Sequence, residues 1–345
     1  MQFFSRRVWV RRVFSAVLPL GFLGGGWGAP SGGAAVLASE VEEKGGALRV
    51  SSFSTILTEV AQRVGGVAVQ VMAHVPVGVD PHEFEPTPKV LREVARAEVV
   101  LLSAKHMEGY VGKLREVAGP GVRIVEVGAQ LPSLFAASRT EGGHAGHSHG
   151  ESEPGSRPKK NHVHTAGSSK GEAEEDPHWW HSVVQMQRAV RVVRDQFAQV
   201  RPKEAEFFES NAKAYLAELE ALQKWAKARV AELPRGQRKL VTSHDALQYF
   251  AKEYGFGVYA VEGLTPSEQP SSRRVAELLE VIKRERVKAV FAQDTVNPKV
   301  LNQMTSETGA VLGGRLWVDG LGTGSAATYE GMFKSNVNTI VEALK

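Results

Sequence analysis

Three histidines and one aspartate are the residues of this sequence whose types and positions favour metal chemistry. His82, His244 and Asp319 each follow a predicted β-strand, and His178 stands at the start of a predicted helix. Three imidazoles and one carboxylate make a suitable tetrahedral ligand set for Zn²⁺, and such a set can also hold Mn²⁺ or Fe²⁺. The residue types therefore predict a metal site.

Each of the four also has an ordinary structural interpretation. A histidine at the end of a strand is more often a hydrogen-bonded structural residue, and Asp319, which precedes Gly320, could simply shape a turn. The spacing between the four is long and irregular. The sequence by itself therefore leaves their convergence open.

Two of the histidines share a short local motif, because Asp80-Pro-His82 and Asp176-Pro-His178 have the same three residues. The proline fixes the direction of the chain and keeps the residue before it extended. Each aspartate is then placed to accept a hydrogen bond from nearby backbone or to support its histidine from behind.

The elements that must position these residues alternate between strand and helix in two blocks. The predicted strands are 47–53, 67–75, 98–103, 121–127, 239–242, 258–261, 287–292 and 310–317. This alternation predicts an α/β fold with two lobes, at 47–200 and 235–345, each with a mainly parallel sheet flanked by helices. Open sheets of this kind bind ligands at the carboxyl ends of their strands, so we expect the metal site in the interlobe cleft.

One long helix is predicted at 203–233, between the two blocks. Apolar residues recur there at alternating spacings of four and three, which gives a single apolar stripe: Phe208, Ala212, Tyr215, Leu219, Leu222 and Ala226. Pro202 and Pro234 bound the segment. We expect a rigid interdomain helix that joins the two lobes.

A histidine-rich segment precedes His178. Residues 138–175 are poor in apolar side chains and rich in Gly, Ser, His, Lys and Glu, so this insert is predicted to be disordered. Its histidines are candidate accessory metal ligands that raise the local metal concentration: His144, His147, His149, His162 and His164. The alternative is a tolerated surface insertion.

The N-terminus predicts export. Residues 1–38 contain four arginines, no acidic residue and an apolar run that is short for a membrane span, as in a signal peptide. An uncleaved anchor is the alternative. Without these residues, Lys+Arg and Asp+Glu balance at 38 each, and nothing favours a nucleic-acid partner. The chain has no cysteine and hence no lipidated Cys, so we expect it to lie free in the periplasm. We also expect a monomer.

Four motifs together resemble a known family, the zinc- and manganese-binding solute receptors of ABC transporters (cluster A-I). The segments that carry the resemblance are Gly78-Val-Asp-Pro-His-Glu-Phe-Glu-Pro-Thr-Pro88, Asp176-Pro-His-Trp-Trp180, Ser243-His-Asp-Ala-Leu-Gln-Tyr-Phe-Ala-Lys-Glu-Tyr-Gly255 and Gly313-Gly-Arg-Leu-Trp-Val-Asp-Gly-Leu-Gly322. The resemblance implies two α/β lobes joined by one long helix, with His82, His178 and His244 as ligands. It implies Asp319 as the fourth ligand, or as a neighbour of a water in that place.

Three residues depart from the resemblance. His181 stands where the family often has Leu, which makes it an alternative ligand or, in our preferred interpretation, a supporting residue. Gln293 stands where relatives commonly carry Glu, and His106 lies in a loop near the expected cleft.

The sequence predicts a receptor that delivers metal to a membrane permease, not an enzyme. Histidine rather than a carboxylate at position 244 favours Zn²⁺, as does the resemblance of the His-rich insert to the zinc branch of the family. The alternatives are an Mn²⁺ or Fe²⁺ receptor of the same fold, a metallohydrolase and a metal-dependent adhesin. A hydrolase would need a general base beside an open coordination position, and no H-E-x-x-H pair is present.

Overall fold

The computed structural model describes residues 46–135, 174–265, 270–293 and 298–345. The predicted signal peptide at 1–38 lies outside the described residues. So does the His-rich insert at 138–175, apart from its last two residues. None of the helices within the described ranges combines the length and the hydropathy that a membrane span needs.

The first half of the chain forms a four-stranded sheet in which every pair of neighbouring strands is parallel. Its strands are β1 (Leu48–Ser52), β2 (Val69–Ala73), β3 (Val99–Leu102) and β4 (Arg123–Glu126). Their order across the sheet is β2-β1-β3-β4. The helices between these strands are α1 (Thr55–Gly65), α2 (Pro88–Val94) and α3 (Val111–Val117).

The second half repeats this arrangement. Its strands are β5 (Lys239–Thr242), β6 (Gly257–Ala260), β7 (Ala289–Ala292) and β8 (Val311–Arg315), again all parallel. Their order is β6-β5-β7-β8, which is equivalent to that of the first sheet. The helices of this half are α6 (Gln248–Tyr254), α7 (Ser272–Glu285), α8 (Pro298–Thr308) and α9 (Tyr329–Leu344). The predicted α/β fold class with parallel sheets is confirmed.

Helices cover both faces of each sheet. In β3 all four residues are buried, and they alternate between two cores: Val99 and Leu101 enter the main core, while Val100 and Leu102 enter a smaller one. A strand buried on both faces needs such a continuous apolar run. The main core also takes in Leu240 and other residues of the second half, so one apolar interior runs through both halves.

Two long helices connect the two sheets, α4 (Val183–Val200) and α5 (Ala205–Ala231). All six residues of the predicted apolar stripe on α5 are buried. Phe197 of α4 packs against Phe208 of α5 with 5.6 Å between ring centroids. At 27 residues, α5 is roughly 40 Å long, which is enough to reach from one sheet to the other.

The start of α4 differs from the prediction. His178 does not open this helix, because a 3-10 turn at Trp179–His181 comes first. The side chain of Ser182 then accepts the N–H of Gln185 and caps α4. A serine followed by a periodic run of apolar residues signals the start of a helix. Here that signal places the start of α4 after Ser182 and not at His178.

Candidate metal centre

The structure brings together the four predicted residues His82, His178, His244 and Asp319, which we call the cleft group. One ligand atom from each lies within 4.8 Å of those of the others. The Nε2 atoms of His82 and His178 are 3.2 Å apart. Oδ1 of Asp319 lies 3.2 Å from Nε2 of His244, 3.4 Å from that of His178 and 3.7 Å from that of His82.

The cleft group lies at the carboxyl ends of strands from both sheets. His82 is in the loop after β2, His244 directly follows β5, and Asp319 follows β8. The side chains of His178 and His244 are fully buried, whereas Asp319 is 13% exposed. A small open cleft borders Asp319 and also Asp80. Solvent therefore reaches the group from the side of Asp319.

The two Asp-Pro-His motifs form the same local turn. Oδ1 of Asp80 accepts the backbone N–H of His82, and Oδ1 of Asp176 accepts that of His178, both at 2.8 Å. Asp176 does more, because the same oxygen also accepts Nδ1–H of His178 at 2.9 Å. This second bond leaves Nε2 of His178 directed at the rest of the group, as is usual for histidines that bind metals.

Gln293 holds the backbone of His244. Its Oε1 accepts the backbone N–H of His244 at 2.8 Å, and its own backbone N–H donates to Ser243 Oγ at 3.3 Å. Gln293 itself is only 4% exposed. The end of β5 is therefore fixed by the residue that follows β7, the neighbouring strand.

Asp319 lies in a segment that the first half of the chain fixes. Trp180 Nε1 and His181 Nε2 both donate to the carbonyl oxygen of Val318, each at 2.8 Å. Leu321 N–H donates to Oγ1 of Thr55 at 2.8 Å. The last of the four residues in chain order is thus placed by contacts from α1 and from the 3-10 turn after His178.

The cleft group is strongly coupled by charge. Burial lowers the pKa of His178, but the carboxylates of Asp176 and Asp319 raise it more strongly, and the outcome is a pKa of about 9. Burial raises the pKa of Asp319, but the three imidazoles hold it well below its usual range. The imidazole of His178 and the carboxylate of Asp319 therefore each favour the charged form of the other.

Several buried atoms of the group lack a hydrogen-bond partner. Nδ1 and Nε2 of His244 have none, and neither does Oδ1 of Asp319. The contact between His244 and Asp319 is close enough for an ion pair but not aligned as a hydrogen bond. Buried polar atoms without partners are costly, and nitrogen and oxygen lone pairs that converge in one place suit a divalent cation.

Other candidates from the sequence stand outside this group. Burial lowers the pKa of His181 to about 4, so its ring is neutral, and its Nε2 is occupied by the carbonyl of Val318. His106 is exposed. The accessory histidines His144, His147, His149, His162 and His164 lie outside the described residues.

Sequence reasoning did not identify Trp180, Tyr249 and Thr55 as supports of the site. The hydroxyl of Tyr249 accepts Leu134 N–H at 3.0 Å and lies 3.3 Å from the carbonyl oxygen of Asp176. The only signal in the sequence was the unusual pair of adjacent tryptophans. Its meaning depends on hydrogen bonds to Ser103 and Val318, which are 76 and 138 positions away.

Comparisons with known proteins agree on one kind of protein. Residues 50–343 match the family model described as "Zinc-uptake complex component A periplasmic". The manganese-binding lipoprotein MntA of Bacillus subtilis (strain 168) is 33% identical over 305 residues, which cover 86% of this chain and 90% of that protein. The zinc-binding lipoprotein AdcA of Streptococcus pneumoniae serotype 4 is 28% identical over 275 residues, which cover 79% of this chain and 50% of that protein.

A solved structure shows the same fold. The periplasmic zinc binding protein TroA from Treponema pallidum superposes with a TM-score of 0.72 and 24% sequence identity. The match covers 87% of this chain and 99% of that one. The relatives named here bind different metals, so they leave the choice of metal open.

Proposed function

This chain belongs to the zinc-uptake complex component A family of metal-binding receptors, and from that membership we propose that it binds Zn²⁺ at the cleft group for uptake by an ABC permease. The observation that carries the proposal is the convergence of the four ligand atoms within 4.8 Å. The three imidazoles and the carboxylate of Asp319 would be the ligands of the bound cation. The role is capture and delivery, with no chemical conversion of the ion.

The spacing within the group supports a small tetrahedral ion. Ligand atoms about 2.0–2.1 Å from Zn²⁺ in a regular tetrahedron lie roughly 3.3–3.4 Å from one another. Four of the six distances within the group run from 3.2 Å to 3.7 Å, and the other two are no longer than 4.8 Å. Three nitrogen donors also suit Zn²⁺ better than Mn²⁺, which favours oxygen donors.

An Mn²⁺ receptor is the second candidate, because the 33% identical relative is named manganese-binding. The two are separated by titrating the protein with Zn²⁺ and with Mn²⁺ in competition with chelators of known affinity. We expect one tight Zn²⁺ site and weaker Mn²⁺ binding. Tighter binding of Mn²⁺ would overturn the choice of zinc but not the receptor function.

The ligand assignment has its own test. His244→Ala removes a fully buried imidazole from the cleft group and is expected to abolish tight binding. His106→Ala removes an exposed imidazole outside the group and is the matched control. Tight binding that survives His244→Ala and His82→Ala would show that the site is elsewhere.

The histidines at 144–164 are proposed as weak accessory sites that collect metal beside the cleft. Deleting 142–170 is then expected to remove weak sites and leave the tight site intact. Loss of the tight site would place essential ligands in the insert. We further propose that residues 1–38 direct export and that the receptor acts in the periplasm as a monomer.

A further inference from the structure

Two buried side chains converge on one carbonyl oxygen beside the cleft group. Nε2 of His181 and Nε1 of Trp180 each lie 2.8 Å from the oxygen of Val318. Both side chains are buried, with 1% exposure. A carbonyl oxygen has two lone pairs, and the two donors occupy both of them.

This carbonyl belongs to the peptide bond that leads into Asp319. A fixed oxygen fixes the plane of that bond, and hence the backbone nitrogen of Asp319. On the other side, Leu321 N–H is held by Thr55 at 2.8 Å. The aspartate is therefore anchored before and after its own position, and its short side chain leaves little freedom for the carboxylate.

We propose that His181 is a positioning residue of the metal site, which acts through the carbonyl of Val318 to place the carboxylate of Asp319. The inference rests on the proposed function, because it assigns a role within the same site. His181 is not one of the four residues whose ligand atoms converge, and its Nε2–H is directed at the carbonyl. Its contribution is to hold Oδ1 of Asp319 at 3.2 Å from His244 and 3.4 Å from His178.

A leucine at this position would fill similar space but would supply no donor. Trp180 would then hold the carbonyl alone, and the second lone pair of a buried oxygen would have no partner. The segment 318–321 would gain freedom at the point where it carries Asp319. A less constrained carboxylate binds more weakly and permits more than one coordination geometry.

The experiment compares the full chain with His181→Leu, which removes the donor, and His181→Gln, whose amide can donate to the carbonyl. Zn²⁺ affinity is measured by chelator competition, and coordination is read from the visible absorption of bound Co²⁺. We expect His181→Leu to weaken Zn²⁺ binding about 10-fold and to alter the Co²⁺ spectrum. His181→Gln should recover most of the affinity and the original spectrum.

Two further variants separate positioning from general damage. His74→Leu removes another buried imidazole of the first half, which is bonded to Ser51 Oγ at 3.0 Å, and should leave both readouts unchanged. Trp180→Phe removes the other donor to Val318 and should alter the Co²⁺ spectrum in the same direction as His181→Leu. Circular dichroism of each metal-free variant checks that it is folded.

The outcomes are distinct. If the unaltered chain binds Zn²⁺ tightly and His181→Leu matches it in affinity and spectrum, the inference is wrong while the proposed function stands. If His181→Gln loses as much Zn²⁺ affinity as His181→Leu, the missing hydrogen-bond donor is not the cause of the loss, and the inference is also wrong. If the unaltered chain does not bind metal tightly, the proposed function fails, and the inference fails with it.

Discussion

A single carboxylate oxygen, Oδ1 of Asp176, binds His178 twice: it accepts the backbone N–H at 2.8 Å and Nδ1–H of the ring at 2.9 Å. The first bond sets the position of the residue, and the second sets the orientation of its imidazole. Asp80 makes only the first of these bonds to His82. Of the two Asp-Pro-His motifs, the second is therefore the more constrained.

Asp176→Asn is expected to weaken Zn²⁺ binding about 10- to 100-fold. An asparagine keeps the size of the side chain but loses the charge that holds the ring proton on Nδ1. Chelator competition measures the change. Asp195→Asn, on the exposed surface of α4, is the matched control and should bind as tightly as the unaltered chain. Equal affinity for Asp176→Asn would mean that the ring needs no such support.

Gln293→Leu should reduce both stability and metal affinity. It leaves the buried backbone N–H of His244 without its acceptor, which costs about 1–3 kcal/mol in the free energy of unfolding. Urea unfolding of the metal-free protein measures this loss. Gln293→Glu keeps an oxygen in the same place and should retain the bond. A Gln293→Leu protein as stable as the unaltered chain would contradict the role of this contact.

Gly128→Ala should destabilise the fold by about 1–3 kcal/mol through overpacking. A Cβ at this position would lie 2.1 Å from the carbonyl oxygen of Ser103 and 2.7 Å from Nε1 of Trp179. These two atoms are hydrogen-bonded at 3.1 Å, so the methyl group would push apart a contact that anchors the residue after His178. Gly119→Ala has nothing within 4 Å and is the control. Equal unfolding free energies for the two variants would refute the steric argument.

Glu108 should make the metal-free protein lose stability as the pH rises. Burial raises its pKa to about 7, although two backbone N–H groups of the turn at Ser103 and Ala104 donate to it. Between its unfolded value of 4.5 and about 7, the folded state holds the proton more strongly than the unfolded state does. The stabilisation is thus complete below pH 4.5 and is lost as the pH rises through 7, a change of about 3 kcal/mol.

Glu108→Gln tests this prediction, because the amide does not titrate. The unaltered chain should have its largest advantage in unfolding free energy over the variant at pH 4.5. That advantage should shrink, or change sign, by pH 8. Glu116→Gln, on the exposed surface of α3, is the control for the removal of a carboxylate. A constant difference for Glu108→Gln would show that this carboxyl does not control the pH dependence.

The sequence predicted the elements well where the chain carries its own start and stop signals. Helix α5 was predicted at 203–233 from the prolines that bound it and spans Ala205–Ala231. The second strand was predicted as 67–75 but spans only Val69–Ala73. Its length is set by the five residues of β1 with which it pairs, and that register is not readable from apolar alternation.

The candidate ligands could be identified because the carboxyl ends of parallel strands meet at one edge of a sheet. The predicted topology therefore places the residues that follow those strands close together. Their supports could not be identified in this way. The contact of His181 with Val318 joins residues 137 positions apart, and it depends on the rotation of a 3-10 turn that replaced an expected helical start. Side-chain direction at such a turn follows from tertiary packing, which no local pattern records.

The ring of Trp180 stands edge-on to that of His178, with 5.5 Å between their centroids. Ions with unpaired electrons quench nearby excited states, so an ion of that kind bound at His178 should reduce the emission of this indole. Cobalt or copper arriving at the cleft should dim this fluorophore, while zinc, with its filled shell, should only shift its colour. Tryptophan emission, to which the other five tryptophans of the chain also contribute, should therefore report the binding of such ions without an attached dye.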